Sequence, residues 1–153
     1  MTLILLGAGQ YGMMAKEIAE ETGIFSKIEF LDDNSELAIG KLTDIDKVEY
    51  DFSFVAIGNP NVRNRLLEQI PQTKIATLIH PKAIVMTSAK VGLGSIIEAG
   101  AVICSNAEIG KGTIVMANAV VGHDAKVGDC CQLKYNCSIS ERCIVPNKSI
   151  VDC

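Results

Sequence analysis

Short apolar runs alternate with helical patterns through residues 1–78. Runs at residues 2–6, 27–31, 52–57 and 74–78 predict four strands. Between them, apolar side chains recur at the spacing of one helical face, at Met13, Met14, Ile18 and Ala19 and again at Val62, Leu66, Leu67 and Ile70. Strands that alternate with helices predict a small Rossmann-like parallel α/β domain over residues 1–78.

From Ile79 onward the apolar period changes to six. When residues 79–153 are divided into hexads, every first position is Ile, Leu or Val, and every fifth position is Ala, Ser, Thr or Cys. A fixed hexapeptide period is typical of a parallel β-helix. Three hexads would form one triangular coil of 18 residues, with the aliphatic residue inside and the small residue at the corner. Residues 79–153 are therefore predicted to form a second domain of a little over four coils.

The repeat accounts for half of the six cysteines. Cys131, Cys137 and Cys143 occupy successive fifth positions, where a free thiol acts as a small buried hydrophobe. A zinc site usually needs close pairs of ligands, so no metal is expected. The remaining cysteines fall outside the core pattern and are expected as exposed thiols, which suits a reducing compartment; they are Cys104, Cys130 and Cys153.

Charge and hydropathy exclude several functions. The net charge is −4, and no Lys/Arg run offers an attractive surface to nucleic acid or anionic lipid. No stretch approaches the ~20 apolar residues of a membrane span. The apolar start lacks the cationic segment of a signal peptide. A cytoplasmic protein is expected.

A glycine turn follows the first predicted strand. Gly7, Gly9 and Gly12 form GxGxxG at the start of a helix, where free N–H groups and the helix dipole favour a phosphate. Asp32 lies 20 residues after Gly12, at the end of the second strand, where a carboxylate could accept from ribose hydroxyls. The domain is too small for a complete dinucleotide fold, so a mononucleotide diphosphate fits better than a nicotinamide cofactor. The alternative is a tight turn without a ligand.

The chain has two histidines. His80 opens the repeat region and is expected to pack at the domain junction. His123 holds the third position of its hexad, on the outer surface, and Asp124 follows it. A neutral imidazole with an acidic neighbour can act as a general base. The alternative is a solvated surface histidine.

Taken together, these motifs resemble the nucleotide-sugar acyltransferases of the PglD/NeuD type. The resemblance rests on the order of GAGQYG, FLDD, FVAIGNPNVR, LIHPKAIV and VVGHD along the chain. It implies that the first domain binds a UDP-sugar, and that the second is a left-handed β-helix which forms a homotrimer and uses acetyl-CoA as acyl donor. It assigns the general base to His123 and its orientation to Asp124. It assigns nucleotide contacts to the turn with Gly7, Gly9 and Gly12, to Asp32 and Asp33, and to Ile57, Gly58 and Asn59.

A trimer is also expected from the surface near His123, where Val120, Ala119 and Met116 would be exposed in a monomer.

Several positions depart from the family pattern. Tyr11 stands in the glycine turn where a His is common. Gln132 replaces a His that contacts CoA, and Glu141 replaces a glycine whose N–H faces the acyl oxygen. The chain also ends at Cys153, where family members continue for further coils. A second hypothesis is therefore a non-catalytic nucleotide-sugar-binding trimer that has lost the CoA site. A nicotinamide oxidoreductase is disfavoured by domain size.

Overall fold

The computed structural model describes residues 1–152, and the contacts within the chain divide it into two compact units, Met1–Ala76 and Thr77–Cys153. The boundary expected from the sequence lies two residues later, after residue 78. The predicted fold class, a small Rossmann-like parallel sheet followed by a parallel β-helix of hexapeptide repeats, is confirmed.

The first unit contains a three-stranded parallel sheet in the order β2-β1-β3, formed by β1 (Thr2–Leu6), β2 (Lys27–Leu31) and β3 (Phe52–Val55). Helices α1 (Gln10–Thr22) and α2 (Pro60–Gln69) follow β1 and β3, and short 3-10 turns cover Leu42–Lys47 and Gln72–Lys74. The central strand is buried along Leu3, Ile4, Leu5 and Leu6, as its continuous apolar run predicts.

The fourth strand predicted for this sheet is wrong. Ile75 makes only an isolated bridge with Ser53, although the Ala76 N–H does donate to the Ser53 carbonyl at 2.8 Å. The next strand, β4 (Leu78–Ile79), pairs with Ile96 and Ile97 in the second unit. The apolar run at 74–78 is therefore divided between the two units: Ile75 and Ala76 lie against Ser53 in the first, and Leu78 begins a strand of the second.

Helix α1 packs through small residues. Its buried positions include Gly12, Ala15 and Ala19, whereas Met13, expected on the core face, is 38% exposed. A Cβ added at Gly12 would lie 2.0 Å from the Gly7 carbonyl oxygen. The helix therefore approaches the glycine turn too closely for a larger side chain at Gly12.

The second unit is built from two-residue strands in three parallel sheets. Equivalent strands are 18 residues apart, so Ile114 pairs with Ile96 below and Gln132 above, which confirms three hexads per coil. The five-stranded sheet contains β4, β7 (Ile96–Ile97), β10 (Ile114–Val115), β13 (Gln132–Leu133) and β16 (Ile150–Val151). One four-stranded sheet contains β5 (Ile84–Val85), β8 (Val102–Ile103), β11 (Val120–Val121) and β14 (Ser138–Ile139). The other contains β6 (Lys90–Val91), β9 (Glu108–Ile109), β12 (Lys126–Val127) and β15 (Ile144–Val145).

The hexad pattern correctly predicts the interior. First-position aliphatics and most fifth-position small residues form one core cluster, with the outer coils partly buried against it. The structure adds a feature of the fourth position, which is in the left-handed region in every hexad from Gly94 (φ 75°) to Lys148 (φ 60°). Gly, Asn and Asp, which tolerate positive φ, fill seven of those ten positions. Their abundance there was the sequence signal for the turn.

The cysteine predictions hold only in part. Cys131 and Cys137 are fully buried, as expected for fifth positions. Cys143, also at a fifth position, is exposed. Cys130 was expected to be an exposed thiol but is only 2% exposed, and Cys104 is half-buried. Cys153 lies outside the described residues.

Within residues 1–152 no helix is both long and apolar enough to cross a membrane. The same residues contain no group of three or more His, Cys, Asp or Glu side chains arranged to hold a metal ion.

Candidate active site

The glycine turn lies at the carboxyl end of β1. Gly7 has φ +113°, and an added Cβ there would lie 2.4 Å from the Ala56 carbonyl oxygen. Gly7 and Gly12 are thus required by the packing of the turn itself. Gly9, the residue before α1, has nothing within 4 Å of an added Cβ. Of the three glycines, Gly9 is the one whose backbone is open to a ligand.

Asp32 ties the end of β2 to this turn. Its Oδ2 accepts the Ala8 N–H at 2.8 Å, and its Oδ1 accepts the Asn34 N–H at 2.8 Å. The Ala8 bond, followed by the Asn34 bond, lowers the pKa of the Asp32 carboxyl. Asp32 therefore holds the glycine turn in place as an ionised side chain.

Asp33 points elsewhere. Its Oδ1 accepts the Leu42 N–H at 3.1 Å, and the side chain borders an open cleft of about 380 Å³ within the first unit. The cleft runs from the end of β1, at Leu6, between the 3-10 turn and α2, where Arg65 and Gln69 line it. Its lining combines apolar residues such as Leu6 with charged ones such as Asp33 and Arg65, as many ligand sites do.

The third turn, after β3, contains Ile57, Gly58 and Asn59. The Asn59 Oδ1 accepts the N–H groups of Asn61 and Val62, which makes Asn59 the N-cap of α2. A Cβ added at Gly58 would meet nothing within 4 Å. Asn59 thus has a clear structural role, and Gly58 provides the open backbone.

Arg63 lies beneath this turn and was not singled out from the sequence. It is 1% exposed, and its Nη1 donates to the carbonyls of Ile57 at 2.8 Å and Gly58 at 3.0 Å. The helical pattern of α2 placed position 63 beside Val62 and Leu66 but did not indicate a buried cation. A charged residue within the otherwise apolar inner face of α2 was the available signal.

His123 and Asp124 form the corner between β11 and β12. Asp124 has φ 60°, and its Oδ2 lies 2.8 Å from His123 Nδ1. The side chains are 49% and 48% exposed. A carboxylate only accepts hydrogen bonds, so it favours the imidazole proton on Nδ1, which leaves the Nε2 lone pair available to accept a proton. This pair has the geometry of an oriented general base.

Glu141 lies in the coil above His123. The Arg142 N–H donates to the His123 carbonyl at 3.0 Å, which stacks the two corners. A Cβ added at Gly122 would lie 2.6 Å from the Glu141 nitrogen. The Glu141 N–H has no hydrogen-bond acceptor within the described chain, and its side chain is exposed.

Gln132 is separated from this corner within one chain. It begins β13, in the sheet that does not contain β11 or β12. Its Nε2 lies 3.4 Å from Met116 Sδ. The structure thus brings together His123, Asp124 and Glu141, whereas Gln132 lies on another face of the β-helix.

The surface near His123 differs from the expectation at one residue. Val120 is 36% exposed and Met116 is partly exposed, but Ala119 is fully buried because fifth positions point inward.

Comparisons with known proteins support the resemblance. Residues 2–70 match the PglD N-terminal domain, and residues 106–141 match the bacterial transferase hexapeptide, described as six repeats. A search of curated proteins returns no match.

Solved structures share the fold over nearly the whole chain. The acetyltransferase domain of PglB from Neisseria gonorrhoeae FA1090, in complex with acetyl coenzyme A, has a TM-score of 0.82 and 23% identity, over 95% of this chain and 92% of that one. A mutant of perosamine N-acetyltransferase from Caulobacter crescentus, in complex with CoA and GDP-perosamine, has a TM-score of 0.78 and 21% identity, over 99% and 89%. WeeI from Acinetobacter baumannii AYE has a TM-score of 0.81 and 18% identity, over 95% and 76%. At these identities the likeness concerns the fold.

Proposed function

We propose that this chain transfers an acetyl group from acetyl-CoA to an amino or hydroxyl group of a nucleotide-linked sugar, such as a UDP-sugar. It carries the two domains of the PglD/NeuD-type nucleotide-sugar acyltransferases in order. The observation that carries the proposal is the 2.8 Å pair between His123 Nδ1 and Asp124 Oδ2 at an exposed corner. The acyl donors and acceptors in the solved structures of this fold support the choice of substrates.

His123 would act as the general base. As the acceptor's nitrogen or oxygen attacks the thioester carbon, Nε2 takes the proton from that atom. The carbon–sulfur bond then breaks, an amide or ester forms, and the imidazolium returns the proton to the departing CoA thiolate. Asp124 holds the ring in the required tautomer and stabilises its positive charge between the two proton transfers.

The Glu141 N–H would stabilise the oxyanion. It lies beside Gly122, in the coil above His123, and has no acceptor within the described residues. Every residue except proline has a backbone N–H, so glutamate in place of the family's glycine retains this donor. Such a donor commonly contributes about 3 kcal/mol to transition-state stabilisation.

The turns at the carboxyl ends of the strands in the first unit would hold the nucleotide sugar. Gly9 and Gly58 have open backbone at the starts of α1 and α2, where N–H groups favour diphosphate oxygens. Asp32 fixes the first of these turns, and Asp33 borders the cleft beside them.

A homotrimer would complete the site, in which neighbouring subunits share the catalytic corner. The sheet β5-β8-β11-β14 ends at that corner, and its outward side chains include Ile84, 55% exposed, and Val120, 36% exposed. Met86 beside it is 47% exposed. Contact with second and third copies would remove this apolar surface from water.

The position of Gln132 favours a second candidate function. Gln132 stands where the family has a CoA-contacting His, and its amide is bonded to Met116 instead. In this alternative the protein is a non-catalytic nucleotide-sugar-binding trimer.

Calorimetry with acetyl-CoA, UDP- and GDP-linked amino sugars and NAD, together with transfer of labelled acetyl, tests both candidates. Acetyl transfer supports the enzyme. Binding of a nucleotide sugar without CoA binding or transfer supports the alternative, and binding of NAD alone would contradict both.

A further inference from the structure

Arg63 is a buried cation with a specific pair of partners. Its Nη1 donates to the carbonyls of Ile57 and Gly58 at 2.8 and 3.0 Å, and the residue is 1% exposed. Helical side chains lean towards the N-terminus of their helix, which carries the guanidinium from α2 back under the turn that precedes it. Burial of a guanidinium is costly unless its hydrogen bonds are made, so both carbonyls are held towards it.

The hydrogen bonds to Arg63 also determine the direction of the N–H groups of Gly58 and Asn59, which belong to the same two peptide groups. In a trans peptide the N–H points away from the C=O, and the described chain has no cis peptide. Because the Ile57 carbonyl points to Arg63, the Gly58 N–H points away from it. The Gly58 carbonyl also points to Arg63, so the N–H of the same peptide group, that of Asn59, points away from Arg63 as well. Neither N–H has an acceptor within the described residues.

The surroundings of these two N–H groups suit a ligand. The Asn59 side chain already satisfies the N–H groups of Asn61 and Val62, so the donors that remain belong to Gly58 and Asn59. A Cβ at Gly58 would meet no atom within 4 Å, whereas one at Gly7 would meet Ile57 Cδ1 at 2.9 Å. The turn is thus open on one side and adjacent to the glycine turn.

We infer that Arg63 is a positioning residue that presents the Gly58 and Asn59 N–H groups to the diphosphate oxygens of the bound nucleotide sugar. The inference rests on the proposed function for the identity of the ligand. Arg63 itself contacts only protein, and the ligand meets the outer side of the two peptide groups that Arg63 orients. Two backbone donors beside the start of α2 would bind an anion without a second exposed cation.

The test compares Arg63→Met with Leu67→Ala. Arg63→Met keeps an apolar stem of similar length but has no donor, so the two peptide groups are free to rotate. Leu67 is 5% exposed on the same helix and its aliphatic side chain has no hydrogen-bond donor, so Leu67→Ala serves as a control that lowers stability by another route. Calorimetry and steady-state kinetics use the nucleotide sugar that the wild type binds best, well below each variant's Tm.

We expect Arg63→Met to raise the Kd and KM for the nucleotide sugar by about tenfold or more, since two hydrogen bonds to a charged ligand are lost. Its kcat at saturating nucleotide sugar and its KM for acetyl-CoA should stay within about twofold of wild type. Leu67→Ala should lower Tm and leave all three constants unchanged. Arg63→Lys, which retains one compact cation, should fall between wild type and Arg63→Met.

An Arg63→Met variant that is less stable but binds the nucleotide sugar as the wild type does would overturn the inference, because Arg63 would then be structural only. If Arg63→Met does not fold, wild-type affinity in Arg63→Lys would contradict it in the same way. Failure of the proposed function is visible separately, because the wild type would then bind no nucleotide sugar.

Discussion

The backbone conformation of the corner formed by His123 and Asp124 suits the hydrogen bond between their side chains. Asp124 is in the left-handed region, with φ 60°, and its Oδ2 reaches the neighbouring imidazole at 2.8 Å. Aspartate is one of the few side chains that accept this backbone conformation readily. The turn therefore favours at position 124 a residue type that can also orient a base.

The first prediction concerns this base. His123→Ala should lower acetyl transfer by about 10²–10⁴-fold, because the proton acceptor is removed. The affinity for the nucleotide sugar should stay nearly unchanged, because its proposed contacts lie in the first unit. Asp124→Asn should lower transfer less, since the imidazole remains. The measurement is transfer of labelled acetyl from acetyl-CoA to amino-sugar nucleotides.

His80→Ala is the control for the loss of a histidine. The His80 Nδ1 accepts the Lys82 N–H at 3.0 Å, which is a structural role in a turn. The His80 variant should transfer acetyl at the wild-type rate. Equal rates in wild type and His123→Ala would show that the proposed mechanism is wrong.

The second prediction concerns Glu98, which is 5% exposed. Its Oε2 accepts the Ala117 N–H at 3.0 Å, whereas its Oε1 has no partner among the described residues. Burial raises the pKa of this carboxyl, and the Ala117 bond only partly opposes that shift. Because folding raises this pKa, Glu98 does not lower the free energy of unfolding at low pH, where its carboxyl is protonated in both the folded and the unfolded chain. Stability is lost as the pH rises through the folded pKa, where the buried carboxyl must ionise.

Glu98→Gln should therefore raise the Tm relative to wild type more at about pH 8 than at about pH 4, because the neutral amide keeps an acceptor for Ala117 and never ionises. Thermal unfolding across this range measures the difference. Glu108→Gln, at a half-exposed outward position of β9, should show little change with pH. A Tm difference for Glu98→Gln that is constant with pH would contradict the assignment.

At the scale of elements, one corner of the β-helix contains a buried ladder of polar side chains. Ser95 Oγ donates to the Gly110 carbonyl and accepts the Thr113 N–H. Thr113 repeats both bonds one coil higher, to Gly128 at 2.8 Å and from Cys131 at 3.1 Å. The small residues of these fifth positions therefore bond successive coils together in addition to filling the corner.

The third prediction tests this ladder. Thr113→Val should lower the free energy of unfolding by about 1–3 kcal/mol, because the Gly128 carbonyl and the Cys131 N–H would be buried without partners. Thr113→Ser keeps the hydroxyl and should lose less. Chemical denaturation measures both variants, and a Val variant as stable as wild type would show that the ladder contributes little.

The fourth prediction concerns the cysteines of the fifth positions. Replacement of Cys131 or Cys137 by Ala or Ser should keep the fold and lower the free energy of unfolding by about 1–2 kcal/mol. Cys143 is exposed, so its replacement should stay within about 0.5 kcal/mol. Metal analysis should find no stoichiometric zinc. A tightly bound zinc that is lost on Cys137→Ala would overturn this interpretation.

At the scale of the whole molecule, the outward face of β5-β8-β11-β14 differs from that of β6-β9-β12-β15. The first exposes Ile84 and Val120, whereas the second presents Lys90, Glu108 and Lys126 over three successive coils, followed by Ile144, 77% exposed, in the last coil. His123 lies at the corner where the two faces meet, three residues after Val120 of the first face.

The fifth prediction is that this apolar face forms a homotrimer. Light scattering should give three times the mass of one chain at micromolar concentration. Val120→Asp should weaken the assembly, since burial of a carboxylate in an apolar contact is costly. Lys126→Asp, on the charged face, should leave the mass unchanged. A wild-type monomer would contradict both the trimer and a site shared between subunits.

The sequence alone determined the repeat, its 18-residue coil and the three turns at one sheet edge, because apolar periodicity and glycine position are local and recur along the chain. The tertiary structure decided which strands residues 74–78 pair with and whether Cys130 is buried, since each depends on which strand or coil lies alongside. The same holds for Arg63. An arginine on a predicted helix is normally an exposed residue, and only the packing of α2 in the folded unit buries Arg63 with its guanidinium against the carbonyls of Ile57 and Gly58.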